Sequence, residues 1–60
     1  MEKIFSDFGI EIYSQGQKHY IQYDAGEIVQ KIVTIEVSKD DAEKAQKSSE
    51  DAYHVIIQYS

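Results

Sequence analysis

The chain has 60 residues, a formal net charge of −5 and no cysteine, which leaves room for one domain and excludes disulfide staples and thiolate metal sites. Its 6 Lys and Arg are outnumbered by 11 Asp and Glu. That balance argues against direct DNA or RNA binding, which needs basic stripes that displace counterions from phosphate.

The acidity is spread along the chain. Residues 1–37 hold three Lys and six acids, and residues 38–60 hold three Lys and five, so neither end is a charged tail. The apolar fraction of 42% is close to that of globular domains, and with β-branched and aromatic residues throughout the chain should fold. The opening "MEKIFSDFGIEI" has no apolar run of the signal-peptide kind. No stretch approaches the ~20 apolar residues of a membrane span, so a cytoplasmic protein is expected.

In chain order, the first predicted strand is Phe8 to Ser14, with an extended piece around Ile4 and Phe5 ahead of it. Phe8, Ile10 and Ile12 share one face, Glu11 and Tyr13 the other, the period of a half-buried strand. Gly16 marks a tight turn. The second strand, Lys18 to Tyr23, places Ile21 inward beside His19 and Tyr23, with Tyr20 and Gln22 outward. "DAGE" then supplies turn formers at Asp24 and Gly26. Short loops on both sides of the second strand make the three strands antiparallel neighbours.

The third strand spans Glu27 to Val37. Helical spacing of Ile28, Val29, Ile32 and Val33 competes, but seven of its eleven residues are β-branched. Val29, Val33, Ile35 and Val37 point inward with Lys31 among them; Ile28, Gln30, Ile32, Thr34 and Glu36 point outward. At this length it overhangs its neighbour and leaves Val33 to Val37 as an open edge, a template for another chain unless a terminus covers it.

Helix signals follow. Ser38 is placed to cap the amides of Asp40 and Asp41, with the acids in the first turn where the helix dipole favours them. Asp40–Lys44 and Glu43–Lys47 are i,i+4 pairs in the favourable order. The inward face is small: Ala42, Ala45 and Gln46. "SSED" repeats the start signal at Ser48 and Ser49, and Ala52, Tyr53, Ile56 and Tyr59 then share a helical face. Tyr53 to Tyr59, "YHVIIQY", also alternates as a strand would, so a fourth strand over residues 53–59 is the alternative. The fold expected is α+β: one domain over residues 1–60, a three-stranded antiparallel meander followed by one kinked or two short C-terminal helices.

Catalysis finds little support. Ser and Thr are the available nucleophiles, His19 and His54 the only imidazoles, and no phosphate loop, nucleophile elbow or H-x-x-x-H ligand pair is present. No enzyme, metal or cofactor is expected. The five Tyr residues are more informative, because Tyr combines apolar area with a polar tip and is enriched at protein interfaces. Tyr13, Tyr20, Ile28 and Ile32 fall on the outer sheet face with Glu11 and Glu36 around them. A register one residue out would make that face the core instead. Asp40, Asp41 and Glu43 add a second acidic surface, with Lys39, Lys44 and Lys47 interleaved, so it reads as a solvated helix face before it reads as a copy of a nucleic acid.

These features together predict a non-catalytic protein that meets a basic protein partner through the Tyr/Ile face and inhibits it. Small acidic inhibitors made by phages and mobile elements against nucleic-acid-handling defence enzymes, anti-CRISPR proteins among them, share this size and charge, as do toxin-neutralising immunity proteins; that likeness is one of analogy alone. The competing expectation is a homodimeric assembly module paired through the edge of the third strand.

Overall fold

The computed structural model describes residues 1–26 and 28–59. Its elements are β1 (Glu2–Asp7), β2 (Ile10–Gln15), β3 (Lys18–Asp24), β4 (Ile32–Val37), α1 (Lys39–Lys44) and α2 (Ser49–Gln58). The strands form one antiparallel sheet in the order β1-β2-β3-β4, followed by the two short helices. The expected α+β meander is therefore present with one strand more than the three-strand reading. The fourth strand of the sheet is the N-terminal one: the extended piece around Ile4 and Phe5 is a full strand, and residues 53–58 lie in α2.

Two tight turns set the register. Asp7 pairs with Ile10, so Phe8 and Gly9 form a two-residue turn, with φ of 54° and 75°. Positive φ at both central positions is the signature of a type I′ turn, which suits the twist of a hairpin. Phe8 thus leaves the strand in which the sequence placed it and is 37% exposed at the hairpin tip. Gln15 pairs with Lys18, and Gly16 alone of the next turn has positive φ (62°), a II′ pattern.

In β1 the register slips between Lys3, opposite Tyr13, and Phe5, opposite Ile12. Ile4 is the extra residue of a β-bulge. Without it Lys3 and Phe5 would share a face. With it Lys3 lies over the Tyr13 ring on one side of the sheet, and Phe5 packs against the core on the other.

The last strand begins at Ile32. Glu27, where the sequence placed its start, lies outside the described residues, and Ile28 and Val29 belong to a loop. The cause is Asp24. One carboxylate oxygen accepts the N–H of Gly26 (2.9 Å) and of Lys31 (3.0 Å), while the Ala25 N–H donates to the Lys31 carbonyl (2.8 Å). This clamp closes the loop before pairing resumes. A Cβ on Gly26 would collide with the Val29 carbonyl oxygen, so close backbone approach requires glycine there. Shortened in this way, β4 pairs with β3 from His19↔Val37 to Asp24↔Ile32, and the expected overhang is absent. β4 still forms one edge of the sheet, as expected of the last strand.

The core lies between one sheet face and the helices. Ile10, Ile12, Ile21 and Val37 meet Ala42, Ala45, Ala52 and Val55, with Ile12, Ile21 and Val55 fully enclosed. The small residues of α1 let it lie close on the sheet. Ser38 and Ser48 cap the helices by accepting the N–H of Asp41 (3.1 Å) and Asp51 (3.0 Å). Neither expected pair, Asp40–Lys44 or Glu43–Lys47, closes to an ion pair among the described residues. The inward face of α2 is Ala52, Val55 and Ile56; Tyr53, expected there, is 62% exposed. The hydroxyl of Tyr59, in the cap position after α2, donates to the Asp41 carboxylate (2.5 Å) and accepts the Ser38 N–H (3.2 Å). It ties the end of α2 to the start of α1.

Candidate binding surface

Strand pairing builds the outer sheet face in two rows. Lys3, Tyr13, Tyr20 and Glu36 stand side by side across the four strands, and beside them run Ser6, Glu11, Gln22 and Thr34. These positions alternate with the core residues Ile10, Ile12, Ile21 and Ile35, so they point away from the helices. No described helix lies on this face. Tyr13 and Tyr20 are directly paired neighbours, each half-buried by its row rather than by a covering layer.

The rows are held by their own polar contacts. The Lys3 ammonium meets a Glu11 carboxylate oxygen at 2.6 Å, and the Tyr13 hydroxyl donates to the other at 3.2 Å. The hydrogen bond from Lys3 holds the Glu11 carboxyl below its ordinary value against a smaller opposing effect of burial; the same bond raises Lys3. Gln22 donates to the Thr34 hydroxyl at 3.3 Å. Glu36, beside Tyr20, has no partner among the described residues and leaves its charge free. Two adjacent phenol rings thus stand between an ion-paired carboxylate and one without a partner among the described residues.

Of the residues named from the sequence, Tyr13, Tyr20, Glu11 and Glu36 therefore lie together. Ile32 is on the same face at the far end of β4, opposite Asp24, and half-exposed. Ile28 is not on the sheet: it stands in the Asp24 loop, 98% exposed. Asp40, Asp41 and Glu43 lie on α1, in the other layer, and Asp41 is occupied by Tyr59. The named residues form one face and two satellites rather than one patch. Sequence reasoning missed Lys3, because β1 was not read as a strand, and also the exposed pair Phe8 and Tyr53. The dipeptide Phe8-Gly9 between two alternating runs was the available signal for that turn.

His19 and His54 are far apart in the fold, one on β3 and one on α2. His19 lies with Gly16, Gln17 and Lys39 around an open hollow of about 510 Å³, and its buried Nδ1 has no hydrogen-bond partner among the described residues. No group of three or more His, Asp or Glu among the described residues is arranged to hold a metal ion. No helix of the described chain is long and apolar enough to cross a membrane. The chain finds no match among protein-family models, curated proteins or solved structures.

Proposed function

We propose that this chain is a non-catalytic acidic binding protein that docks its outer sheet face on a basic surface of a partner protein and blocks it. The observation that carries the reading is the uncovered pair Tyr13–Tyr20 with the free carboxylate of Glu36 beside it. The net charge of −5 steers the approach to a basic surface, and the phenol rings supply the desolvated contact. Basic surfaces of this kind are typical of nucleic-acid-handling enzymes, which fits an inhibitor of the phage or mobile-element type.

The test is recovery of the partner from host lysate, followed by binding and activity measurements on the purified pair. Binding should weaken as salt is raised, Tyr20→Ala should cost about tenfold in affinity or more, and the partner's activity should fall on complex formation. A partner that binds Tyr13→Ala and Tyr20→Ala variants as tightly as the parent would overturn the reading.

A second reading rests on β4. Its edge has no bulge, no Pro and no Lys, the usual guards against strand addition, whereas β1 at the other edge carries the Ile4 bulge. Pairing of two β4 strands about a two-fold axis would give a homodimer. Light scattering that shows a monomer up to near-millimolar concentration would sink this reading.

A further inference from the structure

The outer sheet face already holds one cation between a ring and a carboxylate. The Lys3 ammonium lies 6.0 Å from the centre of the Tyr13 ring and 2.6 Å from a Glu11 carboxylate oxygen. The Tyr13 hydroxyl donates to the other oxygen of that carboxylate at 3.2 Å. The negative face of the ring and the carboxylate both attract the charge.

The next two strands repeat the ring and the carboxylate without the cation. Tyr20 on β3 stands opposite Tyr13, and Glu36 on β4 stands opposite Tyr20. Residues paired across an antiparallel ladder point to the same side with Cβ atoms about 5 Å apart, so one cation can reach both side chains. Among the described residues no cation lies over Tyr20 and none pairs with Glu36. The strand cations of this face are Lys3, committed to Glu11, and Lys18, exposed at the turn end of β3. The next pair along, Gln22 and Thr34, bond to each other, and Asp24 is held by the Gly26 and Lys31 amides. Glu36 belongs to an edge strand, open to a partner from the side as well as from above.

On the reading of the outer face as the contact surface, on which this rests, we infer that Tyr20 and Glu36 form an arginine-binding site. The guanidinium of a partner's arginine stacks on the Tyr20 ring, and its forked N–H groups donate to the Glu36 carboxylate. Arginine suits the pair better than lysine. Its guanidinium is planar, weakly hydrated and matched to a carboxylate by two parallel hydrogen bonds, whereas an ammonium is a strongly hydrated point charge.

Amide chemical shifts of the intact chain, titrated with acetyl-Gly-Arg-Gly-amide, test it. The controls are the same peptide with lysine or citrulline in place of arginine; citrulline keeps a planar donor group without the charge. The arginine peptide should move the Tyr20 and Glu36 amides, and the Tyr20 ring current should shift the arginine Hδ protons upfield. The lysine peptide should bind about threefold more weakly and the citrulline peptide not measurably. Glu36→Gln should cost the arginine peptide about fivefold in affinity, and Tyr20→Leu should abolish the upfield shift. Glu43→Gln removes the same charge from the exposed side of α1 and should leave the affinity within about twofold, which separates the site from the net charge. No shift at Tyr20 up to about 20 mM arginine peptide, or a loss in Glu43→Gln equal to that in Glu36→Gln, would overturn the inference. Lysine bound as tightly as arginine at Tyr20 and Glu36 would overturn it too, while leaving the proposed function in place. That function fails by a different result, a partner that binds the Tyr13→Ala and Tyr20→Ala variants like the parent.

Discussion

Gly26 and Asp24 show how much one residue can hold. Gly26→Ala places a methyl group against the Val29 carbonyl and forces the loop open, so it should cost about 1–3 kcal/mol in urea unfolding. Asp24 acts through its charge. The Lys31 amide, and then the Gly26 amide, hold its carboxyl below the ordinary 3.8. A depressed carboxyl contributes stability that is present above its unfolded value and is lost as pH falls through the folded one. Exchange of the Gly26 and Lys31 amides, corrected for intrinsic rates, should therefore stay slow through the weakly acidic range and quicken below about pH 4. Asp24→Asn should remove that pH step.

Among the elements, the helices owe their starts to single serines. Ser48→Ala removes the acceptor of the Asp51 amide and should destabilise the chain by about 1 kcal/mol in the same unfolding measurement. Both caps were legible in the sequence because capping is local: a Ser, then acids, within four residues. The alternation of Ile10 and Ile12 was legible for the same reason, and so was the inward placement of Ile21. What was not legible depended on contacts between distant residues. The start of β4 is set by a carboxylate seven residues upstream of Lys31, and no propensity at Ile28 or Val29 announces it. β1 was read as a fragment because its turn carries Phe where an Asn would have signalled a hairpin. Tyr53 was turned inward because it shares helical spacing with Ala52 and Ile56; packing chose Val55, which fits against Ile12 and Ile21 without a hydroxyl to satisfy. The placement of residues on the outer face was legible as far as strand alternation reached, to Glu11, Tyr13, Tyr20, Ile32 and Glu36. It failed at Ile28, where the chain leaves the strand.

The whole molecule rests on a small core. Ile12, Ile21 and Val55 are its largest fully enclosed side chains, and alanines supply much of the rest. A domain of this size buries about 60% of its unfolded surface and has little stability in reserve. Ile12→Ala should cost about 2–5 kcal/mol, enough to leave the chain largely unfolded at room temperature by circular dichroism. Substitutions at Tyr53, Phe8 or Glu36, which lie outside that core, should leave the spectrum intact. Tyr13, Tyr20 and Glu36 on the outer face likewise stand outside that core, so substitutions there test binding without first testing the fold.

The bulge at Ile4 has a consequence for assembly. A sheet with two smooth edges invites growth without limit, each added chain offering the next a fresh template. Here the two edges are unlike. A copy that docks β4 against β4 uses the smooth edge of both chains at once, and the pair then presents only bulged β1 strands outward. Association by that route closes at two and does not propagate into a fibre.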